Sequence, residues 1–227
     1  MTGYIVGTIS ERIAQIQVSL PASVRLIAIT KQVPVEAMRE AYAAGIRDFG
    51  ESKVQEAEIK QKELADLPDI VWHLIGHLQM NKAQKALQCF QWIHSVDSLK
   101  LALRLDRLAP LLIQKPQICL QVKLLPDPNK YGWTPSELLA DLAKLDQCQY
   151  LQIKGLMTIP PMGLSAAEVV ELFEQNRQLA NKIRAQNWQR LQMQELSMGM
   201  SGDFSLAIQS GATMIRLGRI LFGDRQP

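Results

Sequence analysis

The sequence predicts an α/β protein built as a closed (β/α)8 barrel, with parallel strands each followed by a helix. Three observations point there. Short apolar runs alternate with longer amphipathic stretches along almost the whole chain. The runs are apolar nearly throughout instead of at every second residue, as expected of parallel strands covered by helices outside and packed together inside. At 227 residues, with 47% hydrophobic and 21% charged residues, the chain is long enough to bury one continuous core. A doubly wound open sheet is the alternative that the same pattern allows.

Each element follows from local pattern. The spacing of Ile9, Ile13, Ile16 and Leu20 predicts an extra N-terminal helix over Ile5–Val18. Val24–Thr30 reads as the first strand, and Val35–Ala44 as a helix closed by Gly45. Arg47–Gly50 is a strand, followed by a helix over Val54–Leu67 that stops before Pro68. Ile70–Ile75 is a strand ending at Gly76, Met80–Cys89 a helix, Trp92–Val96 a strand and Leu99–Leu108 a helix ended by Pro110. Ile118–Leu124 is a strand, then a Pro/Asn/Gly loop leads to a helix beginning near Pro135. Ile153–Thr158, the long helix Ala166–Ala185, Glu195–Met198, a stretch from Ala207 and Met214–Leu217 complete the series. No linker or composition shift divides the chain, and it closes at Pro227 soon after the last strand, so one domain over residues 1–227 is expected.

Composition excludes several classes. The net charge of +3 is spread along the chain, with no Lys/Arg block interleaved with aromatics, which argues against nucleic acid. Cys89, Cys119 and Cys148 are widely spaced, so buried free thiols in a reducing compartment are expected. Ser10, Glu11, Arg12, Gln15 and Gln17 interrupt any apolar leader, and no run reaches membrane-spanning length. A cytoplasmic protein with no membrane partner is expected. No long apolar stripe remains beyond what the barrel needs, so a monomer is expected.

In such a barrel, function collects at the C-terminal ends of the strands. Lys31 follows the run Leu26-Ile27-Ala28-Ile29 there. A lysine beside a buried strand is held near a low-dielectric interior that disfavours its ammonium, and the neutral amine is the form that attacks an aldehyde. A surface lysine opening a loop is the plainer alternative. Ser197-Met198-Gly199-Met200-Ser201-Gly202-Asp203 supplies small residues that let backbone approach a ligand, and Ser201 offers a hydroxyl to a phosphate. An ordinary Ser/Asp helix cap is the alternative. Arg216 would bring a permanent cation into the pocket, with Gly218 and Arg219 offering backbone N–H groups to the same phosphate. Met157, Met162, Met198 and Met200 are apolar packing by default, or a shelf for a cofactor. His73 and His77 lie four apart, but a strand and Gly76 separate them from a helical metal pair, so no metal site is expected. They and His94 are expected to hydrogen-bond in the barrel or line the pocket.

Ala28-Ile29-Thr30-Lys31, Phe49-Gly50-Glu51-Ser52, His73-Leu74-Ile75-Gly76-His77-Leu78-Gln79-Met80-Asn81-Lys82, Gly155-Leu156-Met157-Thr158 and Ser197–Asp203 occur in an order that resembles the pyridoxal phosphate homeostasis proteins, the YggS/PROSC family. The resemblance runs from about Lys31 to Gly223 and implies the fold-type III, TIM-type barrel of alanine racemase. It implies pyridoxal 5′-phosphate (PLP) as cofactor, with Lys31 the residue that forms the internal aldimine. Ser201, Gly218 and Arg219 match the phosphate-binding positions, Gly199 and Met200 the adjoining loop, and Arg216 the arginine facing the pyridine nitrogen; Met157 joins them as a cofactor-binding position. Ser52 stands where the family usually has Asn, and its role is left open.

The resemblance further implies a role in vitamin B6 and amino-acid homeostasis without robust catalysis. A fold-type III racemase completes its site with a second domain, for which this chain leaves no room, and no second acid/base opposite Lys31 is identifiable. Weak PLP-dependent racemisation, or a cofactor-free Schiff-base aldolase, are the alternatives. Partners beyond PLP, such as PLP-dependent apoenzymes or a regulatory protein, have no sequence element that names them.

Overall fold

The computed structural model describes residues 7–112, 114–127 and 129–223. Eight parallel strands close into one barrel in the order β1-β2-β3-β4-β5-β6-β7-β8. They are β1 (Arg25–Ile29), β2 (Asp48–Glu51), β3 (Val71–Leu74), β4 (Trp92–Val96), β5 (Gln117–Gln121), β6 (Gln152–Met157), β7 (Leu191–Ser197) and β8 (Met214–Leu217). The helices are α1 (Ile9–Ser19), α2 (Val35–Ala43), α3 (Val54–Glu63), α4 (Ala83–Cys89), α5 (Leu99–Leu108), α6 (Pro135–Leu145), α7 (Ala166–Arg184), α8 (Phe204–Gln209) and α9 (Arg219–Phe222). The closed barrel, not the open doubly wound sheet, is the architecture.

The unbroken apolar character of the strands has a simple cause. Both faces of each strand are buried, and successive side chains divide between two compartments. Leu26 and Ala28 of β1 join the outer layer against the helices, whereas Ile27 and Ile29 pack inside with Trp92, Cys119, Met157 and Met214. Each fully buried Leu or Ile contributes roughly 1.5–3 kcal/mol relative to exposure. The outer layer therefore holds the helices on, and the inner residues plug the barrel.

Helix starts follow local chemistry. Thr8 with Glu11, Thr134 with Glu137 and Ser165 with Glu168 form capping boxes at α1, α6 and α7. The N-terminal helix therefore begins at Ile9; residues Ile5 and Val6 of the expected span lie outside the described residues. Helix α3 ends at Glu63, four residues before the expected Leu67, and a 3-10 turn Met80–Lys82 precedes α4. Strand β5 ends at Gln121, short of the expected Leu124. Strand β7 begins at Leu191, earlier than expected, because Leu191 and Met193 are buried while Gln192 and Gln194 face out. Among the described residues, no helix is long and apolar enough to cross a membrane. All three cysteines are buried free thiols.

At Gly155 the β6–β7 register shifts, and a Cβ added there would lie 1.7 Å from the Glu195 carbonyl oxygen. Backbone cannot yield as a side-chain tip does. Gly155→Ala should therefore cost about 1–3 kcal/mol of stability, read as a lower urea midpoint with an unchanged m-value; an unchanged midpoint would show that the strand pair shifts freely.

Candidate functional site

Lys31 lies two residues beyond Ile29 at the C-terminal end of β1, half-buried at the barrel mouth. The loops after β5, β6, β7 and β8 converge on the same face. Lys130 Nζ donates to the carbonyls of Ile159 and Pro160, at 3.1 and 2.5 Å. After β7, Gly199 adopts φ +94°, and a Cβ there would lie 2.6 Å from Ala207 Cβ, so only glycine fits this turn. The Met200 N–H donates to Asp203 Oδ1 at 2.6 Å, which folds Met200–Asp203 into a tight loop. Asp203 caps no amide of α8, contrary to the plain helix-cap reading. Ser201 sits half-buried in this loop, and a Cβ on Gly202 would meet nothing within 4 Å, so the loop opens onto free space. Gly218 and Arg219 begin α9 directly after β8.

Arg216 is the most constrained member. It is 4% exposed and faces into the barrel from β8. Its NH1 donates to Ser197 Oγ at 2.7 Å and its NH2 to the Thr158 carbonyl at 3.0 Å. Both acceptors are neutral, and among the described residues it forms no ion pair. Burial lowers its pKa to about 10, with Asp203 opposing, so it remains a cation at neutral pH. Asp203 is itself pushed up by burial, and Arg216 and Lys130 pull it back. A buried cation with only neutral acceptors favours an acceptor-rich ligand beside it.

Below Arg216 a chain of hydrogen bonds crosses the barrel. Ser197 Oγ meets His94 Nδ1 at 2.8 Å, His94 Nε2 meets His73 Nδ1 at 2.9 Å, and His73 Nε2 meets Asp48 Oδ1 at 2.8 Å. Its direction follows from its ends. Arg216 only donates and the Asp48 carboxylate only accepts, so Ser197 gives its proton to His94, and each imidazole is neutral with the proton on Nε2. Burial lowers the pKa of both histidines; His94 is driven further down by His73 and Arg216, whereas Asp48 partly restores His73. At the far end Asp48 lies 3.8 Å from Arg25, which sits over the Trp92 ring.

The expected site residues thus fall into three groups. Lys31, Ser201, Gly218, Arg219, Gly199 and Arg216 share the mouth or the strand ends beneath it. Met157 is fully buried in the inner plug, as a floor. Met200 is exposed, Met198 is buried against the outer layer and Met162 is almost wholly exposed, so the four methionines form no shared shelf. His77 lines the mouth as allowed: its Nδ1 meets Asp97 Oδ2 at 2.8 Å and its ring stacks on Tyr131. Ser52 packs its backbone against Gly76, where a Cβ would lie 2.2 Å from the Ser52 carbonyl oxygen. Sequence reading missed Lys60, which is 7% exposed and bonded to Thr30, Glu51 and Glu56. Its spacing from Glu56, one helical turn on the same face, was the available signal.

A closed parallel barrel with a lysine just beyond its first strand and an inward arginine on its last fits a racemase-type barrel. The family model described as alanine racemase, N-terminal domain, matches residues 6–226. The chain belongs to the pyridoxal phosphate homeostasis proteins within that family. It is 53% identical over 212 residues to the pyridoxal phosphate homeostasis protein of Synechocystis sp., covering 93% of this chain and 96% of the relative. It is 41% identical over 229 residues to that of Pseudomonas aeruginosa, covering 96% of each. The structure of PipY from Synechococcus elongatus PCC7942 with PLP bound has a TM-score of 0.91 at 56% identity, covering 95% of this chain and 100% of that one. Alanine racemase of Clostridium difficile has a TM-score of 0.77 at 14% identity over 57% of its length, a likeness of fold.

Neutral buried histidines make stability depend on pH. Their folded pKa values lie below the unfolded value of about 6.5, so the unfolded chain binds protons first as pH falls. Their contribution is complete above pH 6.5 and declines below it, by up to about 1.4 kcal/mol per pH unit for each histidine. Urea unfolding between pH 7.5 and 5.5 should show this slope, and His94→Gln should flatten it; equal slopes would refute the neutral chain. Ser197→Ala strands both Arg216 NH1 and His94 Nδ1 and should cost about 2–4 kcal/mol, measured in the same assay.

Proposed function

We propose that this chain holds PLP covalently on Lys31 and serves PLP and amino-acid homeostasis in the cytoplasm, as a single domain and without robust catalysis. The observation that carries the reading is the buried, cationic Arg216 inside the barrel whose mouth holds Lys31 just beyond β1, in a chain 56% identical to a protein solved with PLP bound. The relatives named for pyridoxal phosphate homeostasis support the same role.

The residues present fit the group. Its phosphate would meet Ser201 and the backbone N–H groups of Gly218 and Arg219, beside the Gly202 turn that opens onto free space. Met157 and the inner plug close the floor against water from below. Lys31 supplies the amine. Arg216 is assigned to the pyridine nitrogen, where its charge disfavours a proton. PLP bound in this way supplies an electron sink for amino-acid chemistry, and an unprotonated ring nitrogen weakens that sink. The fit is therefore to retention of the cofactor more than to carbanion chemistry.

The test is the visible spectrum of purified protein with and without added PLP, alongside Lys31→Ala. The expected result is a yellow band in the wild type that borohydride fixes onto the Lys31 peptide and that the variant lacks. No band at saturating PLP would overturn the reading. Amino-acid racemisation faster than that of free PLP, lost in Lys31→Ala, would replace retention with catalysis.

A further inference from the structure

The motif Phe49-Gly50-Glu51-Ser52 was singled out by sequence, yet the site just described gives Glu51 no part. Glu51 is 0% exposed at the end of β2. Its Oε1 accepts from Thr30 Oγ1 at 2.7 Å and from Lys60 Nζ at 2.8 Å. Lys60 Nζ also donates to the Thr30 carbonyl at 2.6 Å and to Glu56 Oε1 at 2.7 Å, so three acceptors surround it. Glu56 Oε1 in turn accepts from the Gln32 backbone N–H at 2.6 Å. Both residues flanking Lys31 are therefore tied to one buried ammonium.

A cluster of this kind is a poor source of net stability. Desolvating a Lys–Glu pair offsets most or all of its attraction, and among the described residues Glu51 Oε2 has no hydrogen-bond partner. What the cluster does achieve is positional. Gln32 has φ +60°, a left-handed conformation that a glutamine rarely adopts, and its N–H is held there by Glu56. The chain turns at Thr30–Gln32 from strand to loop, and that turn sets the direction in which Lys31 leaves the barrel wall.

We propose that Lys60, held between Glu51 and Glu56, is a positioning residue that fixes the Thr30–Lys31–Gln32 turn so that the Lys31 amine meets an aldehyde whose phosphate is anchored across the mouth. The inference rests on the PLP reading and adds to it the part that sets the rate of capture. Lys60 itself is no competing nucleophile, since its ammonium is spent on Thr30, Glu51 and Glu56. The capture step balances with the groups named: the neutral Lys31 Nζ adds to the aldehyde carbon, its two hydrogens pass to the aldehyde oxygen, and the C–O bond breaks to release water and leave a C=N bond. A misplacement of about 1 Å at a reacting atom lowers a rate about 10²-fold.

The experiment compares wild type, Lys60→Met, Lys60→Arg and Glu56→Ala. Glu56 lies on the partly exposed side of α3, so its variant keeps the test alive if Lys60→Met fails to fold. Stopped-flow absorbance follows capture of PLP. Equilibrium binding of pyridoxine 5′-phosphate, which has no aldehyde, reports the non-covalent site (phosphate and ring) without the Lys31 bond. Lys60→Met and Glu56→Ala should slow capture about 10²-fold while binding pyridoxine 5′-phosphate as the wild type does, with Lys60→Arg recovering part of the rate. Capture at the wild-type rate in both variants would overturn the proposal. Parallel loss of capture and of pyridoxine 5′-phosphate binding would also overturn it, since that is the mark of a merely structural role. A wild type that never develops the band defeats the PLP reading instead. The turn is then judged by amide hydrogen exchange at Lys31 and Gln32, which should quicken at least tenfold in Glu56→Ala; equal exchange would overturn the positioning role.

Discussion

A guanidinium buried inside a barrel has to be held by something, and the way Arg216 is held organises the rest of the interior. No carboxylate bridges it among the described residues. Its charge is instead passed down a line of neutral groups, from Ser197 through His94 and His73 to Asp48 at the opposite end. Each link requires an inward-facing polar side chain on a particular strand: β8, β7, β4, β3 and β2 each supply one. The inner plug of Ile27, Ile29, Trp92, Cys119, Met157 and Met214 fills the space around this line. Close packing on both sides keeps the imidazoles dry, and dryness keeps them neutral.

The mouth divides along the same logic. Loops after β7 and β8 carry the small residues and β8 the cation, the chemistry of an anion site. The ends of β1 and β2 carry the lysine and the buried ion-pair cluster that ties down its neighbours. The two halves are joined through the closed barrel of eight paired strands. A site that needs an amine and an anchored anion at a fixed separation is well served by a wall of this kind, because the separation is set by strand register and not by loop conformation.

Much of this was legible in the sequence. Trp92–Val96, Leu99–Leu108 and Met214–Leu217 were read with their observed bounds, because each is an apolar run or helix face bracketed by clear breakers. That Lys31 follows β1 at the mouth and Arg216 turns inward on β8 was legible from a charge beside or within an apolar run. What stayed hidden depends on parity across distant strands. That His73, His94 and Ser197 point inward at matching heights follows from the barrel's closure and stagger, which periodicity does not report. Lys60 was hidden for another reason. On α3 it looks like one more solvated helical charge, and only the packing of α3 against the end of β2 buries it. The short α9 was missed because four residues leave no period to detect.

The two buried cations of this barrel show how burial and function are related here. Lys60 is enclosed by two carboxylates and a carbonyl, so its charge is answered locally and has little reach. Among the described residues Arg216 is hydrogen-bonded only to neutral oxygens, while Asp203 acts on it without a direct bond and the carboxylate at the end of its chain stands three side chains away. Its field is therefore offset only in part, by Asp203, in a low-dielectric setting where it carries far further than it would in water. The same residue type, compensated in one place and left open in another, separates scaffold from site. A ligand with an electron-rich atom completes what the protein leaves unpaired, and a ligand that brings a proton to that atom meets repulsion. With the pyridine nitrogen beside Arg216, as proposed, preference for an unprotonated ring would be set by how the barrel interior holds Arg216.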